Sequence, residues 1–196
     1  MEIEYLSTKG SWREVANSAR TTVNMDKGEG EPSSEWKSKM LKAEHSPIRT
    51  MQIKWKWIDI PYYVAMHFRT HWLGIEQFIS TQRSDRTGED RSEKSQTAPV
   101  IHECEANLQQ IINISKKRLC NQADNNTQRY WRSFLNEVVK PNEPELYNVC
   151  VPECVYRGHC PELESCGYTE EREYVIQKEY YQNQLNKTPI KEIEFV

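Results

Sequence analysis

No run of apolar residues in this 196-residue chain approaches the roughly 18 needed to cross a bilayer, which excludes a membrane-spanning helix. Met1-Glu2-Ile3-Glu4 has neither a basic region nor an apolar one, so no secretory leader is expected, and the expected compartment is a reducing cytoplasm. Charge of one sign is not in excess: 26 basic residues stand against 29 acidic ones, a net charge of −3. Such a balance makes bulk attraction to nucleic acid a poor expectation, while a local basic pocket stays open. Glycine is scarce, at 7 residues, and no phosphate-cradling glycine-rich loop occurs. There is no Ser-His-Asp arrangement and no His-Glu-x-x-His, so hydrolase chemistry lacks support. Internal repeats and low-complexity tracts are also missing.

The pattern that is present places elements. Met1 to Leu6 alternates and predicts a strand; Trp12 to Val23 predicts a helix carrying Asn17 and Arg20. Gly28, Gly30 and Pro32 break the chain before a short amphipathic helix over Glu35 to Ala43. Met51, Ile53, Trp55 and Trp57 recur at period two, the clearest strand signal in the chain. After Pro61, Tyr62 to Phe68 predicts a buried helix running into residues 69–86, and Ser84 to Thr97 an exposed loop. Cys104, Leu108, Ile111, Ile112 and Leu119 form one stripe if Ile101 to Asn121 is a helix. Further helices are expected over Asn125 to Val139 and Thr169 to Leu185.

The densest polar constellation is Arg69-Thr70-His71 followed by Glu76, Gln77, Ser80, Gln82, Arg83 and Arg86. Guanidinium groups fork onto phosphate oxygens, and hydroxyls and amides complete such sites, so this density suits a nucleotide pocket. From the residue types alone, a solvated helix face with ion pairs such as Glu76 with Arg83 is the commoner arrangement. Asn107 and Arg118, eleven residues apart and close to three full turns, share a helix face, whereas Asn113 points elsewhere. His45, before Ser46-Pro47, reads as a cap or turn residue by itself.

The six cysteines are unevenly spread. Cys104 and Cys120 stand alone; Cys150-x3-Cys154-x5-Cys160-x5-Cys166 crowds four into one stretch with Pro152, Gly158, Pro161 and Gly167 for turns. Four thiolates can close a tetrahedral structural zinc site, and free thiols or two disulfides are the competing readings.

Taken together these pieces resemble the flavin-dependent thymidylate synthase family. The family signature is Arg-His-Arg, seven or eight residues, then Ser; here Arg69-Thr70-His71 is followed by eight residues and Ser80. Val15-Ala16-Asn17-Ser18-Ala19-Arg20 is similar to its upstream segment, and Glu44-His45-Ser46-Pro47 precedes a strand of alternating aromatics as in the family. Asn107, Asn113, Arg118 and Ala123 reproduce the spacing of its long-helix motif.

The resemblance covers about residues 11–140. It implies an α/β (α+β) fold with a mixed sheet and long helices, spanning residues 1–145. A small Cys-rich appendage with a terminal helix follows over residues 146–196. It also implies a homotetramer holding FAD between subunits and converting dUMP to dTMP, with methylenetetrahydrofolate and NADPH as co-substrates. By the same resemblance, His45, Arg69, His71, Asn107 and Asn113 address FAD. Ser80 sits over the reacting carbon, and Gln77, Arg83 and Arg118 complete the nucleotide site, Arg118 at the pyrimidine. The departures are Thr70 and His71 for the last two signature residues, Phe78 for an acidic residue, Gln109 for an arginine, and Arg83 one position late. They leave open a relative that acts on another pyrimidine nucleotide, or one that binds without turnover.

Overall fold

The chain enters its sheet at once with β1 (Glu2–Lys9), then turns at Gly10 into α1 (Trp12–Thr22). Ser11 starts α1 as a reciprocal cap: its Oγ accepts from the Glu14 N–H and donates to the Glu14 carboxylate. The structure, a computed structural model, describes residues 2–186, with side chains through residue 183. Ser33 caps α2 (Ser34–Lys42), and a 3-10 turn (Ser46–Thr50) leads into β2 (Gln52–Pro61). Then come α3 (Tyr62–Arg69), β3 (Ile75–Ile79), the exposed turns α4 (Ser84–Thr87) and Arg91–Glu93, and β4 (Pro99–Asn107). The helices α5 (Leu108–Arg118) and α6 (Asn125–Phe134) follow, the latter running through a π-helical segment (Leu135–Val139) into α7 (Lys140–Asn142). The chain ends through α8 (Pro144–Val149), α9 (Glu153–Arg157), a 3-10 turn (Tyr168–Glu170) and α10 (Arg172–Asn186).

The four strands form one antiparallel sheet in the order β1-β2-β4-β3. Central strand β2 turns Ile53, Trp55 and Trp57 inward and Lys54 and Lys56 outward, as its period-two pattern requires, and a register shift after Trp57 brings Ile60 inward as well. Lys54 and Lys56 pair across the open face with Glu103 and Glu4 at 2.6 Å each. Behind the sheet, Trp55 stacks on Phe134 with centroids 4.0 Å apart and Trp57 on Phe68 at 4.8 Å, and Trp131 lies against both tryptophans. Offset aromatic pairs of this kind add about 0.5–1.5 kcal/mol each beyond their burial, so α3 and α6 are fixed to the sheet by this block. The same core continues past residue 145 through Leu146, Val149, Val151, Val155, Tyr174 and Tyr181.

Two expectations are corrected. The single helix over Ile101 to Asn121 is a strand followed by a helix. Val100, His102, Cys104 and Ala106 are buried while Ile101 is exposed, a period of two that ends where Asn107 caps α5. Cys104, Leu108 and Ile111 also satisfy a helical spacing, so the one stripe concealed the switch of period. Nor is the segment after Arg69 the solvated helix face that its residue types also allowed. His71 closes a turn on Phe68, Gly74 adopts φ +72°, and residues 75–79 pair with β4 as an edge strand. The part of the predicted Cys-rich appendage beyond residue 186 lies outside the described residues.

Candidate functional site

The turn between α3 and β3 is where the sequence-predicted side chains meet. Arg118, in the last turn of α5, donates from Nε to His71 Nε2 at 3.0 Å. Its Nη2 donates to the His67 carbonyl at 2.7 Å and to Thr70 Oγ1 at 3.1 Å. Three of its five N–H donors are spent on this clamp, and Nη1 has no protein partner among the described residues. Accepting at Nε2 requires His71 to be neutral with its proton on Nδ1. Burial, and then the charge of Arg118, lower its pKa to about 4.

A second tier lies underneath. Arg69 donates to the Gln77 carbonyl at 3.0 Å, and Gln77 Nε2 donates to the His71 carbonyl at 2.6 Å. Gln77 Oε1 stands 3.1 Å from Nε2 of the fully buried His102. The amide oxygen can only accept, so His102 carries its proton on Nε2 and leaves Nδ1 without a partner. Burial, then the charge of Arg69, lower its pKa to about 4 as well. Arg69, His71, Gln77 and Arg118 are thus one bonded unit, anchored in the sheet by β3 and β4.

His71 and Asn113 open onto a groove of about 480 Å3 shared with Thr70, Trp72, Lys116 and Arg157. Asn113 is exposed and shares Gln109 and Gln110 as side-chain partners. The groove wall is held by carboxylates: Glu44 accepts from Lys116 at 2.5 Å and from Gln109, and Glu153 pairs with Lys117 at 2.5 Å and with Arg157 at 2.8 Å. Lys116 also lies 3.6 Å over the Tyr156 ring. Trp72 is 74% exposed at the rim.

The other predicted residues sit apart from this unit. Asn107 caps α5, its Oδ1 accepting from the Gln110 N–H at 2.9 Å, and its side chain packs on Gly74. His45 is exposed and begins the Ser46–Thr50 turn with no side-chain cap bond, next to Glu44. Ser80 extends the β3–β4 ladder: its N–H donates to Ile101 O at 2.9 Å, and its Oγ accepts from the Ile101 N–H at 3.0 Å. Arg83 is exposed and closed in bidentate fashion on Asp85 at 2.8–2.9 Å. Upstream, Asn17 holds both backbone groups of Gly28, and Arg20 donates to the Asp26 carbonyl; both fold the 24–33 loop onto α1.

Of the cysteines, Cys154, Cys160 and Cys166 line one small cavity, whereas Cys150 lines a different one with Leu135, Tyr147 and Tyr180. Burial pushes the Cys150 thiol up to about 12, and Ser115 hydrogen-bonds it. Among the described residues no group of three or more His, Cys, Asp or Glu side chains is arranged to hold a metal ion. Sequence reasoning missed Glu44, His102, Tyr156 and Cys120. Only the period-two alternation around His102 and the two cysteines outside the cluster could have flagged any of them.

The arrangement defines a class: an antiparallel four-stranded α+β scaffold with an arginine–histidine clamp at the turn before its edge strand. The scaffold is similar in fold to solved flavin-dependent thymidylate synthases. Helicobacter pylori ThyX complexed with FAD and dUMP matches it with a TM-score of 0.62 at 8% identity, over 77% of this chain and 100% of that one. A second structure of Helicobacter pylori ThyX with FAD and dUMP matches with a TM-score of 0.59, again at 8% identity, over 77% and 99%. PolB from Streptomyces cacaoi, a UMP/dUMP methylase bound with 5-Br dUMP, matches with a TM-score of 0.58 at 10% identity, over 76% and 93%. No family model and no curated protein matches by sequence. Identities this low make the likeness one of fold.

Proposed function

We propose that the chain is an FAD-dependent nucleotide methylase that converts dUMP to dTMP, with methylenetetrahydrofolate supplying the carbon and NADPH the reducing equivalents. The observation that carries this reading is the Arg118–His71–Thr70 clamp, with Nη1 of Arg118 left for a ligand, on a scaffold whose solved relatives hold dUMP or its bromo analogue. The donor set of the groove fits FAD. The Nδ1–H of neutral His71, Asn113, Lys116 and Arg157 suit carbonyl edges and phosphates, and exposed Trp72 offers a stacking face. His45, Arg69 and Asn107 are proposed to line the same cofactor, Asn107 by setting the start of α5.

FAD, when bound, supplies the hydride that completes the methyl group. The protein's part is orientation and polarisation. Arg118 addresses a pyrimidine carbonyl through Nη1, its plane fixed by the three bonds to α3 and the turn. Gln77 keeps the His71 backbone in place. Ser80 spends a lone pair on Ile101 and keeps its O–H to donate to the nucleotide. Arg83 exchanges Asp85 for the phosphate, an inexpensive exchange because the exposed pair contributes little. Exposed Trp72, Leu73 and Phe78 beside edge strand β3 support burial between subunits of a homotetramer; light scattering at the mass of a single chain would contradict that. Titration of the purified protein with FAD tests the cofactor. Saturable quenching of flavin fluorescence is expected, and a colourless protein that leaves the fluorescence unchanged overturns the reading.

One observation favours a second reading, a nucleotide-binding module without flavin chemistry. Each groove cation, Lys116, Lys117 and Arg157, is already met by Glu44 or Glu153. That reading predicts dUMP binding without NADPH-dependent flavin reduction.

A further inference from the structure

Cys120 is sequence-remote from the C-terminal cysteines, yet the fold delivers it to them. It follows the end of α5, and α5 packs on α9, which carries Cys154. The loop after α9 brings Cys160 and Cys166 over the same spot, and Gln122 holds that loop by donating to the Glu164 carbonyl. All four cysteines line one cavity of about 20 Å3, walled by Leu119 and Pro152. That is space for a single small occupant.

We propose that Cys120, Cys154, Cys160 and Cys166 bind one structural Zn2+, with Cys150 outside the set.

The surroundings are built for thiolates. The backbone N–H of Gln122 hydrogen-bonds the Cys120 sulfur and that of Val155 the Cys154 sulfur. No cysteine is in a disulfide. A divalent cation at the centre displaces the four thiol protons as it binds. As they stand, no three of these side chains are arranged to hold an ion, so binding requires the sulfurs to draw together to Zn–S distances of about 2.3 Å. Four sulfurs leave no open coordination position, so the ion is structural. It clamps the end of α5, which carries Arg118, to α9, whose Glu153, Tyr156 and Arg157 wall the groove.

Metal content tests this independently of any flavin or nucleotide. The full chain, purified reduced and without a metal-affinity tag, is expected to carry about one zinc per chain. Replacement by Co2+ is expected to give the intense visible bands and sulfur-to-cobalt charge transfer of a tetrahedral four-thiolate site. Cys120→Ser should lose tight metal binding, while Cys150→Ser keeps it. Fewer than about half an equivalent of zinc with no charge-transfer band on adding Co2+ overturns the proposal. So does metal loss in Cys150→Ser with retention in Cys120→Ser, or a native mass showing disulfides in protein purified under reductant. If Cys120→Ser does not fold, the cobalt spectrum of the wild-type chain still counts the thiolates, and two or fewer contradict the site.

Discussion

His102 offers a test of the buried tier beneath the candidate site. In the unfolded chain it takes up a proton near its ordinary value of 6.5; in the folded chain, with the ring fully buried beside Arg69, only near 4. Between those values the unfolded state binds more protons. The contribution is therefore complete above about 6.5 and is lost as pH falls toward 4. Integrating from about pH 8 to about pH 5 gives a loss of about 2 kcal/mol from this one ring. His102→Gln keeps a side-chain donor for Gln77 and removes the titration. Urea unfolding of both proteins at several pH values gives the difference directly. Glu143, raised by burial, works in the opposite direction at the acid end, but it does so equally in both chains and cancels. The stability advantage of wild type over the variant should shrink by about 2 kcal/mol between the two pH values. A pH-independent difference, or one that grows on acidification, would refute a neutral buried His102.

Other outcomes follow from the same geometry. Arg118→Gln should raise the His71 pKa above about 4 while leaving it below 6.5, because burial outweighs the arginine's charge; an NMR titration reads this, and an unmoved His71 sinks the clamp. Gly74→Ala should cost about 1–3 kcal/mol, since φ is +72° and a Cβ would stand 2.5 Å from Asn107 Nδ2; denaturant midpoints report it. Asn107→Ala should cost about 1 kcal/mol through loss of the α5 cap. Arg83→Ala should leave the melting temperature unchanged and weaken dUMP binding by roughly tenfold or more; unchanged affinity removes Arg83 from the phosphate site.

The sheet was legible where one period ran undisturbed. Trp55 and Trp57 announced β2, and the alternation from Met1 to Leu6 announced β1. It was illegible where two periods overlapped. Cys104, Leu108 and Ile111 satisfy a helix across a junction that is in fact a strand followed by a capped helix. Ile75 to Ile79 is an edge strand whose polar Glu76 and Gln77 made it look like a helix face. In the candidate site, Arg69 and His71 were readable as one dense polar stretch, whereas Arg118 joined them only through the family resemblance. The site's second tier was not readable, since His102 meets Gln77 only through the pairing of β3 with β4. The grouping of Cys120 with distant cysteines is likewise a product of α5 packing on α9, which no local spacing encodes.

The central claim is that this clamp and groove serve reductive methylation of a uracil nucleotide. The direct measurement is tritium release from 5-tritiated dUMP in the presence of FAD, NADPH and methylenetetrahydrofolate. The account predicts release that depends on the enzyme and on FAD and falls steeply in Arg118→Gln. Release at the no-enzyme level from folded, flavin-loaded protein would contradict it.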